Sequence, residues 1–413
     1  MSDENQEPPR DGSRPEDEPA SETWPPDRPR PQTEGEHPAG AEPALPEPPL
    51  AEALRRFEHE TVSERPPSWH EVVRELSPPG FFPWLAIVFT LGLAALLLGQ
   101  TDTALLIAVA GLFITAQGAD AHEDWRLVHL LVSWIPSASG VVFLGTLAGI
   151  LMRSDFPPPM RIAVSAIAGG GALLCFLGWL PPVGDLLSRA LFRDGPPNLT
   201  RKLAARLVLF SLLLAPSAWF AVRGLLASAL EQPNLLVTTG GLSGSLVGYV
   251  MLAFGSVGWL VRRSWREALD RLGLRGLRSA DALVIPLGVA ALWVFNTGSE
   301  WIQRTMFPAL WAGDQHFTQV LAHSMGAGQM LLLGVSAGVG EEITMRGALQ
   351  PRLGIVLTSL VFASLHVQYS WYGIVSIFVF GIILGAIRQR SSTTAAIAVH
   401  GLYDMLALAT AKV

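Results

Sequence analysis

Eleven apolar runs, at roughly 81–99, 103–118, 127–152, 162–180, 204–229, 242–261, 282–297, 328–352, 354–368, 371–388 and 392–410, constrain this chain more than any other feature. A helix needs about 20 predominantly apolar residues to cross the hydrocarbon core, and most of the runs reach that length. The expected fold is therefore all-α, a polytopic transmembrane bundle of about 11 helices. The runs at 103–118, 282–297 and 354–368 are short for a full crossing and are expected to be tilted, broken or partly re-entrant. Composition agrees, since of 413 residues 50% are apolar and only 15% charged. Cys175 is the single cysteine, so no intrachain disulfide can form. Nothing in the charge pattern is a nucleic-acid footprint.

The net charge of −6 is misleading, because residues 1–50 alone hold thirteen Asp or Glu against four Arg. Residues 1–79 also hold seventeen of the thirty-one prolines and little aliphatic periodicity, which predicts a disordered tail. A short helix is conceivable over 54–76. The basic residues orient the rest: Arg189, Arg193, Arg201, Lys202 and Arg206 follow the fourth run, and Arg262, Arg263, Arg266, Arg271, Arg275 and Arg278 follow the sixth. Short loops rich in Lys and Arg stay in the cytoplasm. The alternation then puts Arg352, Arg388 and Arg390 inside, the N-terminus in the cytoplasm and the C-terminus outside, as for a protein of a bacterial cytoplasmic membrane. Trp265, Leu269, Leu272 and Leu277 among the arginines predict a helix lying in the interface. Residues 298–327 read as an external loop with interfacial Trp301 and Trp311. The expected division is a tail over 1–79, N-terminal membrane helices over 80–265 and a C-terminal bundle over 266–413.

The chemistry concentrates in that bundle. From Ala327 onward the only acidic residues are Glu341, Glu342 and Asp404, and the only histidines are His366 and His400. Ionisable residues at membrane depth are costly and mark functional sites by default. If Pro351 to Gly354 is a turn between antiparallel helices, Glu341 and His366 each lie roughly 18–20 Å from it at about 1.5 Å per residue. His400 reaches nearly the same depth from the turn at Arg388 to Arg390. Glu342 and Arg346 are four apart and share a face, so they can neutralise each other, while Glu341 points elsewhere. Phe362 with His366, and His400 with Asp404, have the same spacing. Gly334 with Gly338, and Gly381 with Gly385, allow close helix packing around the polar layer.

Taken in order, Glu341-Glu342-x-x-x-Arg346, Phe362-x-x-x-His366 and His400-x-x-x-Asp404 resemble the three motifs of the CAAX-protease and bacteriocin-processing (CPBP, Abi) family of intramembrane glutamic endopeptidases. The resemblance covers about 327–408. It implies that Glu341 is the general base for water, that His366 helps to hold or polarise that water, and that His400, with Asp404, stabilises the oxyanion. Glu342, Arg346 and Phe362 would support them. It also implies no catalytic metal and no cofactor, and a substrate that is a membrane-associated protein or peptide. Asp404 is the soft match, because Asn is also common there and an ionised carboxylate repels an oxyanion; Asp404 must then orient His400 or carry a proton.

The residues alone support the same chemistry, since amide hydrolysis needs a base for water and preorganised positive dipoles for the oxyanion. No HExxH pattern and no second intramembrane Asp point to zincin or aspartyl chemistry. Four alternatives stand beside it. The polar residues can be packing clamps in an inactive homologue that acts as a membrane binding or immunity protein. Glu341, His366 and His400 can be zinc ligands of a membrane hydrolase. They can form a proton relay in a transporter. Finally, each histidine can be an ordinary satisfied interior residue. His122, His129, His316 and His323 lie at membrane edges or in loops and carry no functional expectation.

Overall fold

The computed structural model describes residues 81–121, 125–192, 195–230 and 237–412; the tail expected over 1–79 lies outside them. Every regular element among the described residues is helical. In chain order these are α1 (Phe81–Leu97), α2 (Thr101–Ala119), α3 (Arg126–Met152), α4 (Pro158–Trp179), α5 (Pro181–Leu191), α6 (Leu199–Leu230) and α7 (Thr239–Val257). They are followed by α8 (Trp265–Leu272), α9 (Asp281–Met306), α10 (Pro308–Ser324), α11 (Ala327–Glu342), a π-helical segment (Ile343–Leu349), α12 (Gln350–Ser364), α13 (Trp371–Arg390) and α14 (Thr393–Ala411). Nine stretches among the described residues are long and apolar enough to cross a membrane, which makes this an integral membrane protein. The first run gives a helix of only 17 residues, and the runs at 328–352 and 354–368 form one continuous helical stretch, Ala327–Ser364.

That stretch is broken where the sequence suggests a turn. Gly354 has φ +76° and ψ 173°, a left-handed conformation that a residue without a Cβ adopts without strain. Pro351 sits in the first turn of α12, where its missing N–H costs no intrahelical bond. Only residues 355–364 then return toward the opposite face, too few to cross, so this run is the broken one.

Residues 298–327 are a correction. They form the end of α9 and all of α10, not a loop. Ser299, Gln303 and Asp314 face inward and are hydrogen-bonded there, and in a sequence such an inward polar stripe looks the same as a solvated loop. Ser299 Oγ pairs with Ser376 Oγ at 2.7 Å, and Gln303 Nε2 donates to Asp314 Oδ2 at 2.8 Å. Trp301 remains exposed on the outside of the bundle.

The arginine-rich stretch holds one end of the bundle together. Ser264 and Glu267 form a reciprocal capping box at the start of α8, and Gly273 ends the helix in a left-handed conformation. The Ser264 backbone N–H holds the Glu267 carboxyl below the usual carboxylate range. Ala268 and Leu272 are fully buried while Trp265 is half exposed, as expected of a helix lying flat on the bundle end. Arg271 donates to the carbonyls of Gly347 and Ala348 at 2.9 and 3.1 Å. Arg275 bonds Asp281 at 3.0 Å, Ser391 also donates to Asp281, and Thr393 Oγ1 donates to Leu272 O at 2.6 Å.

Glycines let α11 and α14 approach backbone to backbone. A Cβ on Gly334 would lie 2.7 Å from Gly401 O, and one on Gly338 would lie 2.8 Å from Ile397 O. Gly381 and Gly385 likewise receive Ser359 and Ile355 of α12. In a bilayer, where apolar helices gain little from leaving lipid, such contact is a main source of association. Gly338→Val should therefore abolish the folded protein in detergent, because its neighbour is backbone that cannot move aside. Gly328→Val, on the same helix with nothing within 4 Å, should leave yield and melting close to wild type; equal behaviour of the two variants in size-exclusion and thermal-unfolding profiles would refute the packing account.

Candidate active site

The two adjacent glutamates have different surroundings. Glu342 is fully buried and engaged at both oxygens: Arg346 Nε donates to Oε2 at 3.1 Å and His400 Nδ1 donates to Oε1 at 3.0 Å. One carboxylate thus joins α11, the π-helical segment and α14. Glu341, about 100° around the helix, lines a cavity, and its Oε2 is buried with no hydrogen-bond partner. Ile343–Leu349 is wound as a π-helix directly after the pair, the kind of local rewinding that recurs at functional sites. Sequence periodicity does not reveal it.

Phe362 is the platform of the site. The Arg346 guanidinium lies 5.2 Å from its ring centroid, the His366 ring 4.7 Å and the His400 ring 6.0 Å edge-on. The contact to Arg346 is a cation–π arrangement that helps to hold a charge removed from water. His366 Nδ1 lies 2.9 Å from Phe362 O. A carbonyl only accepts, so Nδ1 carries the proton and Nε2 is left as the acceptor when the ring is neutral. By the same logic His400 Nδ1 donates to Glu342, leaving Nε2 3.5 Å from Asp404 Oδ2. Glu341, Phe362, His366, His400 and Asp404 all line one cavity of about 690 Å³, and Glu341, Phe362 and His366 also border a smaller void of about 130 Å³. The structure therefore gathers those five, while Glu342 and Arg346 stand behind the wall.

Several wall residues escaped the sequence reading. Tyr249 packs under Gly340, where a Cβ would lie 3.0 Å from its ring, and so fills the space beside Glu341. Asn296 Nδ2 donates to Glu300 Oε1 at 2.7 Å, where the apolar run 282–297 passes into the stretch that resembles a loop in the sequence. Their i,i+4 spacing is a usable signal in hindsight. Asp314 left no signal at all. It accepts Ser370 N at 2.7 Å, Ser370 Oγ at 2.5 Å and Gln303 Nε2 at 2.8 Å, which ties α10 and α9 to the turn that follows His366. Ser370 is itself the N-cap of α13. Phe317 on α10 meets the Tyr369 ring edge-on at 5.4 Å, and Trp219 Nε1 donates to Tyr369 O at 2.9 Å. His366 thus hangs from a strap pinned at both ends. His129 bonds Ala119 O at an edge, and His316 and His323 are exposed away from the cavity; His122 lies outside the described residues.

Among the described residues no group of three or more His, Cys, Asp or Glu side chains is arranged to hold a metal ion. The family model described as Type II CAAX prenyl endopeptidase Rce1-like matches residues 323–406, which contain all three motifs and leave the chain before the last turn of α10 uncovered. No curated protein and no solved structure matches the chain.

If the Asp314 strap is one cooperative unit, Asp314→Ala and Ser370→Ala should not add. A double-mutant cycle on unfolding in detergent should give a coupling of about 0.5–3 kcal/mol, as contacting residues in one network do. Additive losses would mean that the two residues stabilise separate contacts.

Proposed function

Starting from the match of residues 323–406 to a family of CAAX-type endopeptidases, we propose that the chain is a metal-independent glutamic endopeptidase of the bacterial cytoplasmic membrane, hydrolysing a peptide bond of a membrane-associated protein or peptide. The observation that carries this reading is the unequal treatment of the two glutamates. Glu342 is neutralised by Arg346 and His400, whereas the Glu341 Oε2 is buried, unpartnered and on a cavity wall beside two histidines. A stabilising clamp has no use for such an oxygen; a general base does.

The residues divide the reaction as follows. Glu341 accepts a proton from water, and the hydroxide oxygen adds to the scissile carbonyl carbon. The His366 Nε2 accepts a hydrogen bond from the same water and aims it. Charge that develops on the carbonyl oxygen is met by the Nε2–H of His400, which acts as an imidazolium with its ring fixed by the Nδ1–H bond to Glu342. When the tetrahedral species collapses the C–N bond breaks, and the proton held by Glu341 goes to the leaving nitrogen. Asp404 orients His400 across 3.5 Å; it does not face the oxyanion as a free anion, which would oppose the reaction.

The zinc alternative needs a converging ligand set, which the described residues do not offer. Its test is simple: a chelator should leave cleavage unchanged, and loss of cleavage that returns with added zinc would favour it. The base assignment is tested in cells by comparing membrane-associated polypeptides in wild-type and Glu341→Gln strains. Uncut precursors should accumulate in the variant, and identical peptide profiles would remove the protease reading. With a substrate so identified, His400→Ala should lower kcat by about a hundred- to a thousand-fold, as loss of one oxyanion donor does. Asp404→Asn should retain most of the rate, since an amide oxygen still accepts from imidazole. An Asp404→Asn loss as deep as that of His400→Ala would require the carboxylate itself.

A further inference from the structure

The two ends of the C-terminal bundle differ in charge and in closure. From residue 258 onward, leaving aside the buried Arg346, nine arginines fall at one end and only Arg304 and Lys412 at the other. Contacts fix which residues share an end. Arg271 reaches Gly347, Arg388 Nε donates to Arg346 O, and Arg275 meets Asp281 and Ser391. At the opposite end Lys412 Nζ donates to Met325 O, and Gln303 and Asp314 meet Ser370. The arginine end is stoppered: α8 lies across it, Leu272 is fully buried, and a Cβ on Gly347 would strike the Leu272 carbonyl at 2.9 Å.

The cavity runs the other way. From Glu341 and His400 it extends along the final turns of α14 to Thr410 and Ala411, and past Asn296 of α9 to Asp314 and Gln315 of α10. No Lys or Arg lines it among the described residues, nor does any residue of the arginine-rich loops. Polar side chains, among them Asn296, Gln303, Asp314 and Thr410, line it well beyond the catalytic layer, interleaved with apolar ones.

Arginines in short loops mark the cytoplasmic face. We propose that the active site is reached from the extracytoplasmic face of the membrane, so that its substrate is a polypeptide segment already exposed on that face. The substrate class rests on the protease reading above; the side of access does not, because it follows from charge and cavity direction alone. Such a site would process exported or surface-anchored chains after translocation and would not meet a protein tail presented from the cytoplasm.

Cysteine accessibility tests this directly. Wild type supplies the blank, since its only cysteine, Cys175, is buried. Ala337→Cys and Ala407→Cys report the cavity, two positions being used so that failure of one to fold is covered, and exposed Gly276→Cys reports the arginine end. A charged, membrane-impermeant maleimide applied to spheroplasts should label the cavity cysteines and spare Gly276→Cys. Inverted vesicles should give the reverse. Cavity labelling only in inverted vesicles, labelling of Gly276→Cys from outside, or no cavity labelling from either face would each overturn the proposal. A negative result for proteolysis in the Glu341→Gln strain would leave these labelling patterns unaffected, so the two readings fail separately.

Discussion

Everything in the C-terminal bundle depends on one buried carboxylate having two positive partners. Glu342 is fully enclosed in a membrane helix, where an unpaired charge would be costly enough to reorganise the structure around it. Arg346 meets it from the next turn and His400 from another helix. Because His400 is held through this bond, the same contact that neutralises Glu342 fixes a ring at the cavity wall. Stability and site geometry are therefore coupled through a single side chain. Glu341, one residue earlier, gets none of these partners, and its free oxygen is the consequence of the helix offset as much as of any local contact.

That arrangement requires backbones that approach closely. His400 reaches Glu342 because α14 lies directly on the Gly334 and Gly338 face of α11, with Gly401 as the reciprocal gap. Larger residues would push α14 outward by a side-chain width and break a 3.0 Å bond. The opposite side of the site is set differently, by polar bonds from α9 and α10 to the strap that carries His366. Small residues position one histidine and a half-buried aspartate positions the other.

The sequence made the helical class, most span positions and the break at Gly354 legible, because bilayer thickness and the scarcity of charge leave few alternatives. The Glu342 to Arg346 spacing was also legible, since i,i+4 geometry is local. The bond from His400 to Glu342 was not, because it depends on how α14 rotates against α11, which no single-helix pattern encodes. The π-helical segment was invisible for the same reason. Residues 298–324 were misjudged because polar side chains turned inward toward a cavity have the composition of a loop. Asp314, alone on its helix as a charged residue, gave no hint that it ties three elements together.

The central claim is that adjacent glutamates have been given opposite tasks, one to hold the bundle and one to stay unpaired. Thermal unfolding of Glu341→Gln and Glu342→Gln in the same detergent separates the two tasks without any knowledge of a substrate. Stranding Arg346 by neutralising Glu342 should cost on the order of 3–5 kcal/mol, as breaking a buried ion pair does. Neutralising Glu341 alters a carboxyl whose Oε2 is buried without a hydrogen-bond partner and should leave the melting temperature unchanged or raise it, as replacement of a strained functional group often does. If Glu341→Gln melts as early as Glu342→Gln, both carboxylates are structural and the account of the site is wrong.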